Sequence, residues 1–385
     1  MRNRFVGFAI FFLIVAGCAS KPPKVELTLF YPQPPEPPRL QYLTSLMGAK
    51  DIEAKRSSFE TFITGEKESG ARLDKPYGVA VQKGKIYVCD TNATVMVFDL
   101  EKRSYGPLQG AMGPGKLLQP INVSIDRDGN KYVSDTVRQQ VVVFDRNDKY
   151  VKVFGLPGAW KPVDALVFED KLYVADIKNG EIHVLDKTTG NPFKRFGKKG
   201  EPDEILGLPT NLAFDKDGIL YVSDAGRFQI VKYDRDGHYL GAIGKLGSNP
   251  GTFARPRGLA TDRNKRLYAV DASFDNIQMF DEKGRLLLWF GHFGKAGRLP
   301  GELYLPAKVA IDYENIDFFR GFAAPQFEIE YLVVATNQFG DHMVSVFAYG
   351  KAKGEKYPTD EELTKSLEES MRKTNVQLQE REEPR

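Results

Sequence analysis

From Lys75 onward, short apolar runs alternate with clusters of turn residues, and the whole pattern recurs along the chain. The first unit reads Pro76-Tyr77-Gly78-Val79-Ala80-Val81, then Lys85-Ile86-Tyr87-Val88-Cys89-Asp90, then Val95-Met96-Val97-Phe98-Asp99. Within each run apolar and polar positions alternate with period two, which predicts half-buried strands. New units open at Pro120, Pro162, Pro209, Pro256 and Pro306, at spacings of 44, 42, 47, 47 and 50 residues. The second strands of the first five end in Asp90, Asp135, Asp176, Asp224 and Asp271, and fourth segments close on Phe154-Gly155, Phe196-Gly197, Ile243-Gly244 and Phe290-Gly291. Asp126-Arg127-Asp128-Gly129-Asn130 and Asp215-Lys216-Asp217-Gly218 read as hairpin turns, because they lack the remaining ligands of a calcium loop. Four short antiparallel strands per unit, repeated six times, predict an all-β, six-bladed propeller in which each blade covers the next.

The sixth unit starts at Pro306 and completes a third strand at Val344-Ser345-Val346-Phe347, but no clear fourth strand follows. Leu40 to Gly48 has the right alternation and terminal glycine to supply it from the other end, so that the propeller spans residues 40–350 and loses its open edges. The same unit carries an insertion, Tyr313 to Glu330, with four phenylalanines, Phe318, Phe319, Phe322 and Phe327. Aromatic anchors dominate many interfaces, so these four are candidates for docking a partner on the face opposite the aspartates.

The recurring Pro-x-Gly/Asp/Asn-apolar, Tyr-Val-x-Asp and Phe-Asp-x-x-Gly elements resemble NHL repeats over about residues 75 to 350. The sixth unit departs, with Thr336 where the aspartate belongs and about 15 extra residues after Asp312. The resemblance implies a six-bladed β-propeller. Function does not follow from it, since the fold hosts binding platforms, lyases, lactonases and RNA binders.

Ahead of the repeats, Arg2 and Arg4 precede a 12-residue apolar stretch, Phe5 to Ala16, that ends in Val15-Ala16-Gly17-Cys18. Twelve residues rise about 18 Å as a helix, short of a hydrocarbon core of about 30 Å, so residues 1–17 read as a signal peptide and not a membrane span. The run resembles a bacterial lipobox, which implies a diacylated Cys18 as the mature N-terminus. Ala19 after it favours delivery to the outer membrane of a bacterial envelope. Between Lys21 and Leu40 stand seven prolines, which predicts an extended tether over residues 18–39, reaching up to roughly 60 Å. Beyond residue 350, Thr359 and Glu362 form a capping box ahead of Leu363, Leu367 and Met371, so the charged tail 351–385 should hold one short helix.

Charge and cysteine content narrow the function classes. With 54 basic and 51 acidic side chains, and two of the arginines in the signal, the mature chain is nearly neutral. That gives no support to a nucleic-acid partner held by counterion release. Cys89 is the one cysteine besides Cys18, so no disulfide framework exists; its place among Ser and Ala of other units makes it a buried small residue.

Of the candidate groups, the recurring aspartates suit a structural role, accepting backbone N–H bonds in every regular unit. The position two after each proline, at the channel mouth, differs between units: Gly78, Asn122, Asp164, Asn211, Gly258 and Lys308. Asn122, Asp164 and Asn211 offer oxygens of the kind a divalent cation takes, with Lys308 as the competing partner of Asp164. Related lactonases and lyases hold a metal near this axis, so a metal-dependent lyase or lactonase is the alternative reading; no other cofactor is expected. The histidines, His183, His238, His292 and His342, fall at different places in their units, and no Gly-x-Ser-x-Gly elbow is present. Arg138 and Arg227, with Lys178 nearby in its own unit, form a basic rim that could meet an acidic partner. The reading that results is a monomeric, non-catalytic envelope lipoprotein whose propeller loops bind another envelope protein.

Overall fold

The computed structural model describes residues 28–53, 70–92, 94–198, 204–291 and 299–359, with positions 200, 202, 362 and 365. Residues 1–17, Cys18, His292, Leu363, Leu367 and Met371 lie outside the described residues. Six antiparallel sheets form the blades of a propeller. Their first strands, Pro76–Gln82, Pro120–Ile125, Pro162–Phe168, Pro209–Phe214, Pro256–Thr261 and Pro306–Asp312, touch one another in sequence and close the ring between the sixth and the first. They are therefore the innermost strands, and blades 3 and 6 stand on opposite sides of the axis.

Alternation along each strand gives every blade two apolar faces, and the core divides accordingly into six clusters, one at each seam. Between blades 1 and 2, for example, Tyr87 and Cys89 pack against Val133, Val142 and Phe144. Burial raises the Cys89 thiol pKa well above its ordinary value, so the residue is an inert filler. Second-strand tyrosines also bond across seams: Tyr87 Oη donates to Asp148 (3.0 Å) and Tyr173 Oη to the Arg235 carbonyl (2.8 Å). The Asp-Gly segments are hairpin turns in which the leading carboxylate accepts two backbone N–H bonds, as Asp126 does from Asp128 and Asn130.

Leu40–Leu46 pairs antiparallel with Val344–Ala352 and is the fourth strand of blade 6. Phe30–Tyr31 adds a fifth strand outside it. The tether expected over residues 18–39 is thus corrected for its described part. Leu29, Phe30 and Tyr31 are apolar enough to dock: Phe30 packs on Phe327, Tyr31 on Phe290, and Tyr31 Oη bonds the Gly301 carbonyl. At the other end Tyr357 Oη donates to the Pro38 carbonyl, and Arg39 lies 4.1 Å above the Tyr357 ring. The predicted capping box is present, Thr359 N–H donating to Glu362 and Glu362 N–H to Thr359 Oγ1, and positions 362 and 365 are helical.

Blade 6 also corrects an alignment. In the other blades the leading proline lies opposite the aspartate, whereas Pro306 lies opposite Asn337, not Thr336. Asn337 keeps the acceptor role, taking the Tyr304 N–H at 3.1 Å, and the amide replaces the carboxylate.

Candidate functional site

Every first strand is irregular just after its proline, the register shifting at the next one or two residues. Such bulges re-aim side chains. Here they place the residue two after the proline against the neighbouring first strands. At Gly78 an added Cβ would stand 2.6 Å from the Asn122 Cα, and at Gly258 one would stand 2.4 Å from the Lys308 Cα. The innermost strands approach too closely there for any side chain.

Of the channel-mouth candidates, Asp164, Asn211 and Lys308 meet. Lys308 Nζ crosses the axis from blade 6 to reach Asp164 Oδ2 of blade 3 at 2.8 Å, with the carboxylate 2% exposed. The same Oδ2 accepts the Leu212 N–H (3.0 Å) and lies 3.4 Å from Asn211 Nδ2, while Oδ1 takes the Ala165 N–H (2.9 Å). The carboxylate expected to hold a cation thus has an ammonium as its counter-charge and a full set of donors. Asn122 Nδ2 donates to the Val163 carbonyl at 2.8 Å, whereas Asn122 Oδ1 and Asn211 Oδ1 are buried acceptors with no protein donor among the described residues. Sequence reasoning missed Arg257, buried beside the Tyr77 ring and bonded to Gln338 Oε1 at 3.1 Å. Burial pulls its guanidinium below the ordinary value, with Arg255 adding repulsion. The first strands therefore bury two cations, Lys308 paired with Asp164 and Arg257 held between Tyr77 and Gln338.

On the rim, the aspartates tie the entry of each blade to its second strand. In blades 1, 2, 4 and 5 one carboxylate oxygen takes the N–H two residues before the proline: Asp74 to Asp90, Leu118 to Asp135, Gly207 to Asp224 and Ala254 to Asp271, at 2.6–2.7 Å. Blade 3 differs. Asp176 Oδ1 takes the Lys161 and Lys178 N–H groups, and Oδ2 faces Asn179 Nδ2 and His183 Nε2, the latter at 3.0 Å. His183 Nε2 also lies 3.4 Å from Glu181 Oε1, and Arg195 reaches that oxygen at 3.3 Å. Burial pushes the Asp176 carboxyl up, but the bonds from His183, Lys161 and Asn179 outweigh it and hold the pKa at about 2.

The basic rim is committed to loops. Arg138 donates to Gln140 Oε1 and the Lys116 carbonyl, Arg227 to the Pro202 and Ile205 carbonyls, and Lys178 to the Gly158 carbonyl. Their charge braces the connections into blades 2, 4 and 3. The described histidines stay apart: His238 pairs with Asp234, and His342 Nδ1 meets Ser45 Oγ at 2.7 Å, but its Nε2 has no hydrogen-bond partner among the described residues, so these form no Ser-His-acid triad there.

The blade 6 insertion divides in two. Phe319 and Phe327 are buried in the seam between blades 6 and 1, which corrects their assignment as docking residues; their rings are the insertion's root. Phe318 is 41% and Phe322 54% exposed. The closing strand holds this segment, Gln41 accepting the Ala324 N–H (3.1 Å) and donating to the Phe322 carbonyl (3.4 Å). Asn315 ties it to blade 1 through Gly84 N–H and the Gln82 carbonyl.

No protein-family model matches the chain. Among solved structures it is similar to a Bacteroides thetaiotaomicron protein of unknown function (14% identity, TM-score 0.58, covering 80% of this chain and 75% of that one). It is similar also to a Xanthomonas campestris gluconolactonase (16%, 0.52, 80% and 98%) and to a streptogramin B lyase (11%, 0.51, 73% and 95%). At these identities the likeness is one of fold.

Proposed function

We propose that this chain is a non-catalytic, lipid-anchored envelope protein that binds another envelope protein through the blade 6 insertion. The observation that carries the reading is the exposure of Phe318 and Phe322 on a segment whose other two phenylalanines are rooted in the core. An exposed aromatic pair on a fixed root loses little freedom on binding, which is the condition for a strong anchor. The closing strand that holds the pair leads back towards the proposed anchor. Between Cys18 and Thr28 the chain advances ten residues, a span of at most about 36 Å. A Cys18-anchored propeller would therefore stay close to its membrane, here taken to be the outer membrane, and reach a partner in or beside it.

The pairing of Asp164 with Lys308 weighs against the rival, a metal-dependent lyase or lactonase at the channel mouth, since a cation there would have to displace the ammonium. The test is recovery of the full-length lipoprotein after crosslinking in its own envelope, beside a Phe318→Asp/Phe322→Asp variant. The reading requires one stoichiometric partner that the variant loses. Equal recovery by both would refute it, and lyase or lactonase turnover abolished by Asp164→Ala would establish the rival.

A further inference from the structure

The repeat supplies its own control for one group of residues. Aligned by strand pairing with the aspartate, Glu181 corresponds to Thr94, Gln140, Gln229 and Asn276 in blades 1, 2, 4 and 5. His183 corresponds to Met96, Val142, Val231 and Gln278. Blade 3 alone among these five replaces neutral residues with a carboxylate and an imidazole at both positions. Blade 3 is also where the aspartate's Oδ2 is released from the backbone N–H that holds it in the other four. Two independent departures from the repeat thus converge on one point: the ligand atoms of Asp176, Glu181 and His183 all lie within 4.8 Å of one another.

We propose that Asp176 Oδ2, Glu181 Oε1 and His183 Nε2 form a divalent transition-metal site of zinc type on the rim of blade 3. One imidazole nitrogen with two carboxylate oxygens suits zinc and cobalt, whereas calcium takes six to eight oxygens. Ligands about 2.0–2.1 Å from a tetrahedral zinc stand about 3.3 Å apart. The nitrogen lies 3.0 Å from Asp176 Oδ2 and 3.4 Å from Glu181 Oε1, so two of the three spacings already suit the ion, and the two carboxylate oxygens, within 4.8 Å of each other, would close onto it. Outer partners that fix the ligands are in place: Lys161 and Lys178 N–H on Asp176 Oδ1, Arg195 on Glu181, and the Trp160 ring edge-on to His183 at 5.1 Å. Three protein ligands leave a position open. Glu181 also lines a cleft of about 540 Å³ with Arg195, Phe196 and Lys198, whose two positive charges make a small anion the ligand class that would complete the coordination.

The test uses the untagged full chain, stripped with chelator and titrated with Co²⁺. One equivalent should bind with visible absorption that Zn²⁺ abolishes, and Zn²⁺ should raise the thermal midpoint. Glu181→Gln/His183→Val installs residues that blades 2 and 4 already carry, so this variant should fold. Its cobalt affinity should fall at least about 100-fold, beyond the range that outer-shell changes bring. If it fails to fold, His183→Gln, the residue of blade 5, gives the same reading. Folded wild-type protein that takes up no stoichiometric cobalt, or a variant that binds it as tightly, would overturn the site and leave a hydrogen-bonded clip.

Discussion

The channel and the blade 6 insertion handle their exceptional residues in opposite ways. In the channel, the one carboxylate among the positions two after each leading proline is closed off by an ammonium from the opposite blade and by backbone donors. In the insertion, two of four phenylalanines are spent on the core and two remain on the surface. A charge inside a protein has to find its partner there, because an unpaired one costs several kcal/mol. An exposed aromatic ring on a surface is tolerated without such a partner and is free to find one elsewhere. Between the two regions, the insertion is the one that leaves large apolar side chains on the surface, which is what the proposed docking requires.

The largest effect should come from removing what supports both. Deleting Leu40–Leu46 takes away Leu40, Tyr42, Leu43 and Leu46, all buried, along with the whole outer pairing of blade 6. At about 1.5–3 kcal/mol for each, the loss rivals a total stability of about 5–15 kcal/mol. The deletion should abolish the cooperative thermal transition; an unchanged midpoint would mean that the ring does not depend on this closure. Next, Lys308→Met leaves Asp164 buried and unpaired, and should cost about 3–5 kcal/mol in denaturant unfolding, most of it restored by adding Asp164→Asn. A loss below about 1 kcal/mol would reopen the channel as a site with charge to spare.

Phe318→Asp/Phe322→Asp should change stability by less than about 0.5 kcal/mol, because both rings are exposed, yet weaken partner binding by about 2 kcal/mol, roughly 30-fold. Phe319→Ala should show the reverse, with about 3–5 kcal/mol of stability lost from the seam. The smallest effect concerns acid. Asp176 is held at about 2, below its ordinary 3.8, so its contribution to stability is complete above about pH 4 and is lost as pH falls towards 2. His183→Gln should flatten the stability profile between those limits, and an identical acid limb in both proteins would exclude the contact.

Much of the frame was legible in the chain. Six prolines, five aspartates and period-two alternation set out the blades, and the closing strand could be read because blade 6 lacked a fourth run of its own. What failed had local causes. Thr336 was given the aspartate's place, whereas the strand register sets Asn337 opposite Pro306, and an asparagine performing the aspartate's role does not announce itself in the repeat. The division of the insertion could not be seen, since adjacent Phe318 and Phe319 differ in burial through a single turn of helix, Ile316–Phe319. The bracing hydrogen bonds of Arg138 and Arg227 could not be read, because most of their acceptors are loop carbonyls, which sequence does not display. Glu181 and His183 were visible as departures from the repeat, but their convergence on Asp176 required the strand pairing.

The central claim is that recognition resides in the insertion and not in the channel. Its most direct test is quantitative recovery of the crosslinked envelope partner by wild-type protein, by Phe318→Asp/Phe322→Asp and by Asp164→Asn/Lys308→Met, each first verified to be folded. The account predicts that the phenylalanine variant loses the partner and the channel variant keeps it. Loss by the channel variant with retention by the phenylalanine variant would contradict it.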